Sequence, residues 1–236
     1  MGEPATAPTM QPRTEAVLGV DGCPGGWLGA AVTGREVSWL LLADAAAILA
    51  VDASAIGIDI PIGLPESGRR ECDVAARLAL GVARNSVFFT PVRATLAAGS
   101  YPEANALSRD VTGKGMSKQT WNILDRIADV DSALGEPPDP RVVEVHPELS
   151  FRRLDPAVGS PKRTDARAGQ RISALGRWLD VAEAIARVPP GPTLDDALDA
   201  LVAAWSARRW LSGTASALPA GDPPLDALAR PMRIVS

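Results

Sequence analysis

Cysteine and histidine are nearly missing from this sequence: two cysteines, Cys23 and Cys72, and one histidine, His146. Two cysteines do not make a disulfide framework, and no C-x-x-C spacing exists. Both thiols are expected to be reduced, in a cytoplasmic setting. No apolar run reaches the roughly 18 residues needed to span a bilayer, so no membrane partner is expected. Residues 1–14, rich in Pro, Thr and Ala, lack the basic-then-apolar order of a signal peptide and read as a disordered leader. Positive charge is not in excess either. The net charge of −4 argues against coating nucleic acid through bulk charge, while leaving room for a local basic groove.

What is there suits a globular protein. Apolar residues make up 46% of the 236, enough for a full core. We expect one domain over residues 15–236, with an insertion at about 83–140 and no internal repeat. Ala16 to Val20 reads as a buried strand ending in Asp21. The run Gly22-Cys23-Pro24-Gly25-Gly26 is a turn, Trp27 to Val32 a second strand and Glu36 to Leu42 a third. Two short hairpin connections in a row make these three antiparallel. Asp44 to Val51 reads as helix, Ala55 to Ile60 as a fourth strand containing Asp59, and Glu71 to Gly81 as helix. Helices are expected near Tyr101–Arg109 and Lys118–Ser132, a fifth strand at Arg141 to Val145, and helices over Ala166–Arg187 and Leu194–Leu211. The tail from Leu225 to Ser236 is expected to dock as a last strand. This order gives an α/β mixed sheet, three antiparallel strands and then parallel ones, with helices on both faces.

Acids stand out by their context. Asp21 and Asp59 sit in apolar strands with no basic neighbour in sequence, and Glu144 alternates with valines. Such carboxylates are costly unless paired or metal-bound. Asp195, Asp196 and Asp199 share one face at the start of the last helix, where stacked like charges are unfavourable without a cation. Carboxylates converging from several elements suit Mg²⁺ or Mn²⁺, and two such ions can activate water against a phosphodiester. The bland alternatives are turn initiation for Asp21 and Asp59, and helix-dipole placement for Asp195 and Asp196. His146, two residues after Glu144, shares its strand face and can shuttle a proton or orient water; a structural role is its alternative.

The run G-C-P-G-G-W fails as a Walker A loop and as a dinucleotide fingerprint, because it joins two strands and lacks the Lys-Ser/Thr ending. Basic residues concentrate in the middle. Between Glu66 and Ser100, Arg69, Arg70, Arg77, Arg84 and Arg93 face only Glu66, Glu71 and Asp73. Lys114 and Lys118 flank a Gly-containing loop beside Trp121. A basic arc beside an acidic metal site is what a phosphodiester substrate needs, although about half of such charges on a folded surface are merely solvated.

Six segments in order carry a family resemblance: V-D-G-C-P-G-G-W, D-I-P-I-G-L, the stretch from Arg70 to Arg93, G-K-G-M-S-K-Q, E-V-H-P-E-L-S-F and D-D-A-L-D-A-L. Together they resemble the domain of unknown function 429 family, over roughly Ala16 to Gly213. The resemblance implies an RNase H-like fold and nuclease activity. In the wider superfamily an Asp on strand one, an acid on strand four and one or two acids on the last helix bind metal, which matches Asp21, Asp59, Asp196 and Asp199. Glu144 and His146 on strand five depart from the superfamily's resolvases. The expected function is therefore divalent-metal-dependent cleavage of nucleic acid or another phosphoester. The catalytic set is Asp21, Asp59, Glu144, His146, Asp196 and Asp199. The substrate-binding set is Arg70, Arg77, Arg84, Arg93, Lys114 and Lys118. A non-catalytic nucleotide- or nucleic-acid-binding module and a phosphotransferase are the alternatives.

Overall fold

The computed structural model describes residues 16–158 and 165–236; the expected leader lies outside them. Strands β1 (Val17–Cys23), β2 (Gly26–Thr33) and β3 (Glu36–Leu42) form an antiparallel meander. β4 (Ala55–Ile58) and β5 (Val142–Glu144) add in parallel on the far side of β1, giving the order β3-β2-β1-β4-β5. This is the mixed sheet expected: three antiparallel strands, then parallel ones. β1 is longer than the sequence suggests. It pairs with β2 as far as Cys23 opposite Gly26, so the turn shrinks to Pro24 and Gly25, with Gly25 at a φ of 83°. β4 is shorter, ending at Ile58 because Pro61 follows closely. Asp59 lies just past it, and its amide still donates to the Val20 carbonyl at 3.0 Å.

Helices cover both faces. On one side α1 (Ala45–Leu49) and α5 (Leu124–Ala133) pack on Leu18, Val20, Ile56 and Ile58. On the other lies α9 (Leu194–Leu211), which crosses β1 and β4 very closely. A Cβ on Gly19 would sit 2.1 Å from the Ala200 carbonyl oxygen, and one on Gly57 would sit 2.7 Å from that of Ala203. Both glycines are therefore required by the helix above them, and Ala197, Ala200, Ala203, Ala204 and Ala207 make that helix face thin enough.

Between β4 and β5 run α2 (Glu71–Leu80), two 3-10 turns, α3 (Tyr101–Thr112), α4 (Lys118–Asn122) and α5. The expected Lys118–Ser132 helix is thus two helices that meet at Ile123. After β5 comes α6 (Pro147–Leu154), a segment for which the sequence predicts no element. Its proline occupies the first turn, where no amide hydrogen is needed. The long helix expected over Ala166–Arg187 is also two: α7 (Asp165–Leu175) and α8 (Val181–Ala186), the second started by Asp180 accepting from the Glu183 amide at 3.1 Å. The tail does dock: β7 (Ile234–Val235) pairs with β6 (Ala217–Leu218), and Val235 bridges Val145 beyond β5. Among the described residues no helix is long and apolar enough to cross a membrane.

Candidate active site

Gly19 and Asp21 are two residues apart on β1, as are Gly57 and Asp59 at the end of β4. Residues two apart on a strand share a face. Each glycine admits α9, and each aspartate, one step further on, emerges on the same face just beyond that contact. The G-x-D spacing, repeated on adjacent parallel strands, brings both carboxylates to the carboxyl end of the sheet. Open α/β sheets collect ligands there. Both residues line one cavity of about 230 Å³, together with Gly22, Arg126 and His146.

The electrostatics of this corner are unfavourable without a cation. Burial, then repulsion from Asp59, Asp199 and Asp196, holds the Asp21 carboxyl well above the usual carboxylate range. Burial, then repulsion from Asp199 and Glu144, does the same to Asp59, with Arg171 pulling the other way. Among the described residues Asp21 accepts only the neighbouring Gly22 amide, at 2.8 Å, and no ion pair reaches Asp21 or Asp59. Asp199 is pushed up to about 7, chiefly by burial, although its Oδ1 lies 2.9 Å from Arg171.

The helix acids stand apart from the cavity wall. Asp196 closes a capping box: its carboxylate accepts the Thr193 amide at 2.8 Å while its own amide donates to the Thr193 hydroxyl. Asp199 leans on Arg171, which also reaches Glu148; Arg167 completes that network. Among the described residues, no three His, Cys, Asp or Glu side chains converge as a closed metal shell. Of the four carboxylates that line the cavity, Asp73 and Glu144 are paired with Arg70, which leaves Asp21 and Asp59 as the two without an ion pair among the described residues. That fits Mg²⁺, which is commonly held by one or two carboxylates plus water and substrate phosphate rather than by an all-protein cage.

Glu144 requires a correction. It lines the cavity but is 5% exposed, and both its oxygens are engaged: Arg70 at 2.6 and 2.7 Å, and the Ile62 amide at 2.7 Å. Oε1 accepts from Arg70 and Oε2 from Arg70 and Ile62, so this carboxylate is held in an ion pair rather than left unpaired at the cavity. Arg70 is corrected with it. All its N–H donors go to Glu144, Asp73 and the carbonyls of Ile62 and Gly63, so none is left for a phosphate. Arg93 is likewise committed, to Asp131 at 2.8 Å and Asp226 at 2.5 Å. Arg84 is exposed on a 3-10 turn, and Lys118 rests 3.8 Å over the Tyr101 ring; neither lines this cavity. Arg77 and Lys114 line a separate groove next to it.

His146 does belong to the cavity. Its Nε2 lies 3.3 Å from the Ser86 carbonyl oxygen, which can only accept, so Nε2 carries the hydrogen. Nδ1 is then a lone-pair acceptor, buried and without a protein partner among the described residues. Burial lowers the pKa and favours this neutral form, against the Ser86 carbonyl and Glu148.

Residues 19–223 match the family described as protein of unknown function (DUF429). The chain belongs to that family. The matched span contains both G-x-D aspartates, His146 and the whole of α9. Comparison with curated proteins and with solved structures gave no match.

Sequence reasoning missed Arg126 and Arg171. Arg126 donates to the Cys23 carbonyl at 2.7 Å, holding its guanidinium over Gly22; a Cβ on Gly22 would sit 2.9 Å from it. Neither arginine has a local sequence signal. The doubled G-x-D followed by an alanine-faced helix was the signal available for the core of the site.

Proposed function

We propose that this protein is a divalent-metal-dependent phosphodiesterase acting on nucleic acid. The observation that carries the reading is the pair Asp21 and Asp59: two carboxylates from adjacent strand ends, lining one cavity, raised in pKa by burial and then by repulsion from neighbouring carboxylates, and lacking an ion-pair partner among the described residues. Bound Mg²⁺ or Mn²⁺ would supply charge for the phosphate and acidity for water. Asp21 and Asp59 would hold the metal through carboxylate oxygens. Arg126, anchored on the Cys23 carbonyl and lining the same cavity, would stabilise the developing phosphoryl charge. His146 accepts a proton at Nδ1. Asp199 and Asp196 act at a distance, adding negative potential that favours the cation. The free, buried state of Cys23 and Cys72 supports a reducing compartment, the cytoplasm.

The test is Mn²⁺ titration by calorimetry on the wild type and on Asp21→Asn, followed by cleavage assays on oligonucleotides. Binding in the wild type that is lost in the variant is the expected result. If the wild type takes up no Mn²⁺ even with an oligonucleotide present, the reading gives way to a non-catalytic binding module.

A further inference from the structure

The cavity of about 230 Å³ is smaller than the ~300–1,000 Å³ of pockets that enclose a whole small ligand. A substrate larger than its reacting phosphate must therefore continue outside it. A groove of about 700 Å³ begins on the other side of a wall made by Val87, Phe88 and Thr90, which line both spaces.

The groove's charge is one-sided. Arg69, Arg77 and Lys114 line it, and no carboxylate does among the described residues. None of the three cations has an acidic partner among the described residues, in contrast to Arg70 and Arg93 close by. Arg77 donates only to neutral acceptors, the Val87 carbonyl and the Asn85 side chain. The guanidinium of Arg69 sits 3.6 Å over the Phe89 ring and that of Arg77 sits 4.8 Å from it, which keeps both planar groups in place without neutralising them.

Lys114 is presented with similar care. Its carbonyl accepts from the Ser108 hydroxyl at 2.8 Å and from Thr112 at 3.0 Å. Gly113 makes the left-handed turn after α3, and a Cβ on Gly115 would lie 2.4 Å from Asn105 Oδ1, which accepts the Met116 amide. The loop backbone is thus fixed while the ammonium is exposed.

We infer that this groove is a single-stranded nucleic-acid lane, holding phosphates that flank the one at Asp21 and Asp59. Unpaired cations along a track bind successive phosphates. The half-buried Phe88 lines both spaces and so puts an aromatic ring at the junction, where a base would stack on it; such stacking is available only to unpaired nucleotides. The inference rests on the phosphodiesterase reading and names its substrate: an oligonucleotide strand rather than an isolated phosphate monoester.

The experiment is fluorescence anisotropy with a labelled single-stranded oligothymidylate a dozen nucleotides long. It is done in EDTA so that neither metal nor cleavage contributes. The Arg69→Gln, Lys114→Gln double variant alters only exposed side chains, and an unchanged melting temperature confirms its fold. Its Kd should rise about tenfold. The slope of log K against log salt should shrink by about 1.4, roughly 0.7 for each single-strand phosphate that is no longer neutralised. Asp21→Asn should bind at least as tightly as the wild type, which separates this result from the fate of the metal site. The lane is refuted by failure of the wild type to bind, by equal affinity and slope in the double variant, by loss of binding in Asp21→Asn, or by duplex binding as tight as single-strand binding.

Discussion

Asp59 and Glu144 occupy nearly equivalent places on neighbouring parallel strands. Glu144 pairs in register with Ile58, and Asp59 is the next residue. Both are carboxylates set among apolar strand residues. Glu144 is paired with a buried arginine that also serves Asp73, and it accepts a backbone amide as well, so that burial still raises its pKa but Arg70 opposes the rise. Asp59 meets repulsion from two other carboxylates and lines a cavity, with Arg171 the one cation among the described residues that lowers its pKa. A buried carboxylate is therefore not in itself a sign of chemistry. The sign is a missing counter-charge, because burial and repulsion then have to be relieved by a proton, a metal or a substrate.

The largest effect should come from reversing this difference. Arg70→Met leaves Glu144 and Asp73 buried and uncompensated, and should cost about 3–5 kcal/mol in urea unfolding. Asp59→Asn should do the opposite, adding roughly 0.5–2 kcal/mol, as substitutions that relieve a strained functional site often do. Equal destabilisation by both variants would mean that the two carboxylates are structural alike, and the comparison would collapse.

A smaller effect should appear with pH. Asp199 is held up to about 7 by burial, with Arg171 and Arg167 pulling it down and Asp195 and Glu148 pushing it up. In the unfolded chain an Asp titrates near ~3.9, so between these values the folded state binds the extra proton. The stability this contributes is present below the lower value and lost as pH rises through about 7. Asp21 and Asp59 shift in the same direction. His146, whose pKa is lowered, acts with the opposite sign, but only on acidification below its unfolded value. In EDTA, the melting temperature should therefore fall between about pH 6.5 and about pH 8, by roughly 2–4 °C for each 1 kcal/mol lost. Asp199→Asn should flatten the curve. A melting temperature that instead rises over this interval would show that Arg171 has already compensated the cluster, making it more like Glu144 than the comparison allows.

The sheet was legible because its strands are short apolar runs cut by turn residues, and Asp21 and Asp59 were legible as acids inside those runs. Helix α6 was hidden because Pro147 reads as a breaker, although at a helix start it is permitted. The partners were not legible at all. Arg70 and Arg69 are adjacent in sequence, yet one is 2% exposed with every donor used and the other is exposed over Phe89. Which of them is spent depends on Glu144, 74 residues away from Arg70. Composition and local spacing do not contain that pairing.

The same limit applies to the two lysines of the Gly-containing loop, and they supply the smallest expected effect. Lys114 lines the basic groove, whereas Lys118 starts α4 and sits over Tyr101, whose hydroxyl donates to the Met116 carbonyl at 3.0 Å. Lys118 thus steadies the loop that carries Lys114 without facing the groove. Lys118→Gln should cost no more than the ~0.5–1 kcal/mol of an exposed cation–π pair and leave oligonucleotide affinity within about twofold. Lys114→Gln alone should weaken binding with no loss of stability. If the two substitutions weaken oligonucleotide binding equally, both lysines act through general positive potential. The distinction between a cation spent on the fold and one left for a ligand, which separates Glu144 from Asp59 in mirror image, would then not extend to this loop.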